Sequence, residues 1–457
     1  MMKKAYYKII IFTLAAAIVQ IYSMAGAPFI YAAGNAVPSV SQPAPASGKI
    51  PVCEAIMKYY RLWDGTETND ITMYQLETAA PEEKTLKMLE DKLGDRSPAY
   101  EVMLSIADGL PAMFKAMTPA EREFVIKNFS NTFLRATTKL IAGGAKFLSS
   151  KGKCIPASRA LFSMCLLVTD FESAVTSGSA SQGPLLTKMI AVACRKICFE
   201  TLVRVILNGG FDEKYCSNFY RTFEFIDRSQ FPISKTMELE KTGIIRIIRA
   251  YTSLDIEKVK EFKDAIYPPE VFAKVSAEIK KSPFAVKVAG MYGDEAISQI
   301  GGIFLKYDEA FKKPFKEASA IFGEIDKNFS DGKYNNFFTQ VAIPNMGRAY
   351  WQSVRIDVIS DMAKTAALLK LHRSLKKKFP EKLGELASTA SAMKVPKDRF
   401  SGEDFLYLWL SDDSFLLISA GPNMRLDGKY DKKFDKSQSN LTSSDDIIMT
   451  EEYISVK

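Results

Sequence analysis

From about Val52 to Pro344 the apolar residues recur at three- and four-residue spacing, with no convincing run of period two. A 3.6-residue period gathers such side chains on one face of an α-helix, so this stretch predicts helices that must bury those faces against one another. The clearest begins at Thr118-Pro119-Ala120-Glu121. There the Thr118 hydroxyl can accept an early backbone N–H, Glu121 can reach back, and Pro119 takes the position that tolerates it. Phe124, Val125, Phe129, Phe133, Ala136, Leu140 and Ile141 then form one face, and Gly143-Gly144 is the expected stop. The same pattern predicts helices at 157–175, 185–207, 254–266, 269–279 and 313–329. The expected body, residues 52–342, is a helical bundle or an irregular all-α domain with short connections.

Composition narrows what such a body can do. At 47% apolar and 25% charged residues the chain is that of a folded protein rather than a disordered one. Its 61 basic and 53 acidic residues are interspersed, so a net charge of +8 makes no basic stripe and no nucleic-acid partner is expected. One histidine, His372, excludes His-rich metal sites and confines histidine catalysis to a single position. No nucleophile motif, phosphate loop or zinc signature is present. The acidic pairs Glu82-Glu83 and Glu451-Glu452 and the run Lys376-Lys377-Lys378 read as solvated surface. An enzyme is therefore the less favoured reading, with no catalytic residue to name.

The amino terminus speaks of location. Lys3, Lys4 and Lys8 precede an apolar core from Ile9 to Val19, and no charge follows until Lys49. This is the layout of an export signal, with small residues at Ser23 and Ala25, or later at Ala32 and Ala33, to suit a peptidase. Residues 9–33 also approach the length of a membrane anchor, so removal and retention both stay open. Either way the body is expected to be exported, in the periplasm or at the cell surface, with membrane contact only through residues 1–33. Phe12-Thr13-Leu14 echoes mature type IV pilins, but Ile11 and Ala16 replace the Gly and Glu of that pattern. Residues 34–51, rich in Pro, Ser, Ala and Gly, form a flexible spacer. Six cysteines, Cys53, Cys154, Cys165, Cys194, Cys198 and Cys216, permit core thiols or disulfides of open connectivity.

The last hundred residues change character. A long helix is predicted over 346–378, with Tyr350, Val354, Val358, Met362, Ala366, Leu369, His372 and Leu375 along one side. Phe379-Pro380 breaks it, and a short turn through Leu383 and Leu386 leads to Asp398-Arg399-Phe400-Ser401-Gly402. A hairpin signal follows: Phe405 to Leu410, a polar turn, then Phe415 to Ala420. Beyond a Gly/Asp loop, Ile447-Ile448-Met449 predicts a last short strand.

This ordered set resembles the globular domain of type II secretion major pseudopilins. It is still more similar to the pseudopilin-like tail of large exported bacterial proteins of unassigned function. The motifs are Lys-Phe-Pro-x-x-Leu-x-x-Leu, Asp-x-Phe-Ser-Gly-x-x-Phe-x-Tyr, Leu-x-Ser-x-Gly-Pro-Asn and a closing Asp-Asp-Ile. The resemblance covers residues 343–450 and implies an α+β domain of long helix and antiparallel strands over 343–457. It also implies calcium in the loop, because hard Ca²⁺ takes oxygens from carboxylates, carbonyls and hydroxyls. The matching positions are Ser419, Asn423 where the family commonly has Asp, Asp427, Asp445 and Asp446. By resemblance the chain would be a structural or interaction component of the bacterial envelope, with secretion or pilus-like assembly proteins as partners. The alternatives are a hydrophobic-ligand or lipid-binding protein using the helical body, and an exported enzyme with an unrecognised site.

Overall fold

Side chains that compete with the backbone mark where the helices begin. A computed structural model describes residues 48–63, 87, 90–91, 93–94, 97–177, 183–260, 269–343, 346–389, 393–426, 445–451 and 454–455. The segment expected to direct export, most of the expected spacer and Asp427 lie outside them. Helix α1 (Ile50–Leu62) is followed by α2 (Pro98–Asp108), whose Ser97 hydroxyl accepts the Tyr100 N–H at 3.1 Å, and by the single turn α3 (Leu110–Met113). At α4 (Pro119–Asn128) the Thr118–Glu121 capping box forms in both directions, at 3.2 and 2.8 Å.

The expected continuation to Gly143-Gly144 does not occur. Phe129 takes an extended conformation, and Ser130 caps a new helix, α5 (Asn131–Ser150), by accepting the Phe133 N–H. Both glycines lie buried inside α5. Gly144 serves close approach rather than termination: a Cβ there would stand 2.5 Å from the Tyr59 hydroxyl of α1. Next come α6 (Cys154–Ser177), α7 (Pro184–Asn208), α8 (Glu213–Ser229) and α9 (Ile233–Thr252). After them stand α10 (Ile256–Lys260), α11 (Pro269–Lys280), α12 (Pro283–Ala310), α13 (Phe315–Ser330) and α14 (Phe337–Ala342). Helices α8, α9 and α12 lie outside the predicted stretches, although Cys216, Phe219, Tyr220, Phe223 and Ile226 give α8 one buried face at helical spacing.

Contacts divide the chain into two compact units that are discontinuous in sequence. The larger joins Gln42–Thr236 and Lys313–Ala318 to Gly347–Lys457; the smaller joins Met237–Lys312 to Ser319–Met346. The expected helical region at 52–342 thus contributes to both units, and the tail from Gly347 belongs with its first part.

In the larger unit α6 is the central element, packed on α2, α4, α5 and α7. Phe162, Phe199, Phe219 and Phe223 meet edge to face or tilted, 5.3–5.7 Å between centroids, and fix how α6, α7 and α8 lie together. The long helix α15 (Met346–Lys376) is buried on nearly all sides from Val354 to His372. It is not one-sided as its spacing suggested, and Leu375, expected on the apolar side, is exposed. It ends where Lys377 adopts φ +64°.

A 3₁₀ turn (Leu383–Glu385) and α16 (Leu386–Thr389) lead to a four-stranded antiparallel sheet in the order β1-β2-β3-β4. Its strands are β1 (Leu406–Ser411), β2 (Ser414–Ser419), β3 (Ile447–Thr450) and β4 (Ile454–Ser455). Leu416 and Ile418 pack with Ile448 on one face. On the other, Phe415 meets the Phe379 ring at 4.8 Å. The fold is therefore mainly α with a small sheet near the carboxy terminus.

In the smaller unit Ala296, Ile300, Ile303 and Tyr307 make the buried side of α12. Tyr307 packs on Phe322 of α13 at 5.7 Å, and α14 lies against α12.

Candidate functional site

Four of the five expected metal ligands, Ser419, Asn423, Asp445 and Asp446, lie among the described residues. Ser419 ends β2 fully buried; its hydroxyl donates to Asp398 Oδ1 at 2.9 Å and accepts the Gly421 N–H at 3.3 Å. Asn423 Oδ1 accepts the Arg425 N–H at 2.9 Å. Asp445 is exposed and Asp446 buried, and Gly421 packs against the Asp445 carbonyl, so Ser419 and the closing aspartates do share one end of the sheet. Arg355 of α15 bears on Asp445 electrostatically, which puts a protein cation beside a carboxylate proposed for Ca²⁺. Asp427 lies outside the described residues, among which no group of three His, Cys, Asp or Glu has a metal-holding arrangement.

The carboxylate that organises this end is Asp398, from the Asp-Arg-Phe-Ser-Gly segment. Only 2% exposed, it accepts from the Phe400 and Ala420 N–H groups and from the Ser401 and Ser419 hydroxyls, at 2.9–3.3 Å. Burial nevertheless raises its proton affinity against those four hydrogen bonds. It ties the loop before β1 to the end of β2.

Its neighbour Arg399 reaches the other way. Asp357, Asp361 and Lys364 stand at i, i+4 and i+7 on α15 and so share one face of it. Arg399 Nε donates to Asp361 Oδ2 at 2.5 Å and Nη1 to Asp357 Oδ2 at 3.1 Å. Lys364 Nζ meets Asp361 Oδ1 at 2.8 Å and also pairs with Asp227 of α8, whose other oxygen accepts the Ser360 hydroxyl at 2.9 Å. Three carboxylates thus face two cations. Burial works against both cations, but Asp227, Asp357 and Asp361 outweigh it and hold Lys364 and Arg399 charged. Asp357 keeps 27% of its side-chain surface, yet it lies deep enough that desolvation, reinforced by Asp227 and Asp361, pushes its carboxyl up to about 6.

A second buried cluster adjoins α6. Glu172, fully buried, pairs with Arg195 and, at 2.8 Å, with Lys188, both of α7. Lys188 also donates to the Phe231 carbonyl at 2.7 Å. Burial lowers the Lys188 proton affinity, and Glu172 partly restores it. At the start of α1, Lys49 Nζ holds Asp170 of α6 at 2.6 Å, and burial pushes that carboxyl up to about 6.

Chemically these clusters fix positions. Removing one partner from a buried pair would strand a charge. Two open clefts, one lined by Arg246, Arg249 and Asp294 and the other by Gly209, Lys370 and Ser374, are formed by other residues. His372 is 4% exposed, and burial lowers its proton affinity. All six cysteines are buried free thiols, so the disulfide option is not realised. Burial pushes Cys53 and Cys194 up to about 12 and Cys216 to about 11, while the Cys165 thiol beside Cys198, with burial, raises that group too. Thiols of this kind are poor nucleophiles.

Sequence reading missed Asp227, Glu172, Lys188, Arg195, Asp357, Asp361 and Lys364. The available signal was charge where none is cheap: Glu172, in the apolar stretch of α6, and Asp361, between Val358 and Met362, occupy helix positions flanked by core residues. Among the described residues, one helix is long and apolar enough to cross a membrane; it is the buried α6 segment Cys154–Thr176. Comparison of the chain with family models, with curated proteins and with solved structures returns no match.

Proposed function

We propose that the chain is an exported, non-catalytic interaction protein of the bacterial cell envelope. Its pseudopilin-like carboxy-terminal part is built into the helical body and presented by it to a secretion or pilus-like assembly. What supports the reading is the place of Arg399. It belongs to the segment that carries the family resemblance, and it clamps Asp357 and Asp361 of the long helix, which Lys364 ties in turn to Asp227 of α8. A tail held in this way is a rigid display surface rather than a hinged module, and rigidity suits docking that loses little conformational entropy.

Affinity capture from envelope extracts with the tagged full-length chain tests it. Recurrent recovery of secretion or pilus components is the expected outcome, and repeated recovery of none of them would overturn the assembly role.

A further inference from the structure

Two sets of contacts fix which sides of α6 and α7 face each other. Toward the end of α6, the Thr169 hydroxyl accepts from Arg195 Nη2 at 3.4 Å, and Glu172 pairs with the same guanidinium. Nearer its start, Phe162 of α6 and Phe199 of α7 both meet Phe223 of α8, at 5.3 and 5.4 Å. Cys165 stands on α6 between Phe162 and Thr169, and Cys198 on α7 between Arg195 and Phe199. Helical spacing therefore carries both thiols to the seam between the ion pair and the aromatic rings. There they meet: the two thiols are hydrogen-bonded to each other, and both residues are 0% exposed.

We propose that Cys165 and Cys198 are a disulfide-forming pair, a covalent staple between α6 and α7 that closes when the chain folds in contact with a disulfide oxidant. The other thiols near this seam are placed differently. Cys194, one turn before Cys198 on the same helix, bonds Thr138 of α5. Cβ atoms at that spacing stand ~5–6 Å apart, wider than the ~3.5–4.5 Å a disulfide spans. Cys154 is engaged with Ser149 at 3.3 Å. The bond must form while α7 is still open, because a thiol sealed in the core neither ionises nor meets an oxidant. The Cys165 thiolate then attacks a sulfur of the oxidant's disulfide and displaces its partner sulfur. The Cys198 thiolate attacks Cys165 in the mixed disulfide and expels the second sulfur. The oxidant leaves as two thiols with both electrons and both protons, and the chain keeps one S–S bond. Docking buries that bond without stranding a polar group. The proposal stands on the thiol contact and is independent of the export reading.

The test uses the full-length chain in urea just below its unfolding midpoint, where α7 opens transiently, with oxidised glutathione or with dithiothreitol. After return to buffer, free thiols are alkylated under denaturing conditions and the unreduced digest is read by mass spectrometry. The expected product joins the Cys165 and Cys198 peptides and leaves Cys53, Cys154, Cys194 and Cys216 alkylated. The oxidised chain should melt at least ~5 °C above the reduced one. That difference between redox states should vanish in Cys165→Ala and in Cys198→Ala and persist in Cys194→Ala, whatever each substitution does to the reduced fold. Six alkylated cysteines after the oxidant, a Cys194–Cys198 product, or a melting difference that survives Cys165→Ala would each overturn the pair.

Discussion

In the larger unit Glu172, Arg195, Asp361 and Lys364 are each no more than 6% exposed and neutralise one another inside the packing. In the smaller unit the pairs Lys306–Glu324, Lys260–Glu257 and Lys281–Glu278 lie on open surface, and Met291 and Leu305 stand more than 60% exposed. The contrast teaches that charge has different work in the two. Buried pairs cost desolvation and return geometric uniqueness, whereas exposed pairs contribute little and leave the surface available to others.

The sharpest way to break this comparison is Asp361→Asn, which deprives both Lys364 and Arg399 of a partner. A loss of about 3–5 kcal/mol is expected in urea unfolding. Hydrogen exchange should speed in α6 and α15 and stay unchanged in α12; equal speeding everywhere would dissolve the distinction between the units.

A pH series comes next. Asp357 and Asp170 both bind protons more tightly folded than unfolded, near 6 against 3.8. Their favour to folding is full below about pH 4 and is lost as the pH rises through about 6, on the order of 2 kcal/mol each. Other carboxylates held by hydrogen bonds, such as Glu121, work the opposite way, so the test is a difference. The stability of the parent minus that of the Asp357→Asn variant should fall between pH 4 and 6, and a difference that does not change with pH would refute the assignment.

Gly144→Ala should cost about 1–3 kcal/mol, because its methyl meets the Tyr59 hydroxyl in a fixed core. On the surface of the smaller unit, by contrast, removing Lys306 or Glu324 should move Tm by less than ~2 °C, with no coupling left at about 0.5 M salt. The smallest effect is expected from calcium. With Ser419 and Asn423 engaged and Arg355 acting on Asp445, about 1 mM Ca²⁺ should raise Tm by less than ~1 °C, and a larger rise would favour the five-ligand site.

The helices were legible where one mechanism dominated, as at Thr118–Glu121, where the cap chemistry is local. The hairpin was legible because Leu406–Ser411 and Ser414–Ser419 flank a short polar turn. The break at Phe129 was not, since Ser130 looks like any polar residue within a continuous apolar period. Nor were the ion clusters, because Asp227, Asp361 and Arg399 are 38 to 172 positions apart and only tertiary packing brings them together. Spacing rules capture what a few residues decide among themselves; a charge buried by distant helices leaves no local pattern.

Helix α6 carries a final consequence, for the order of events during synthesis. It is the most membrane-like segment of the described chain, and its covers come from both sides in sequence: α2, α4 and α5 are made before it, α7 after it. Until Pro184–Asn208 has emerged, one flank of an apolar 23-residue helix stays open to solvent or to any hydrophobic surface nearby. The pairs from Glu172 to Lys188 and Arg195 close only when α7 arrives. The docking of α7 is therefore what closes that flank of α6.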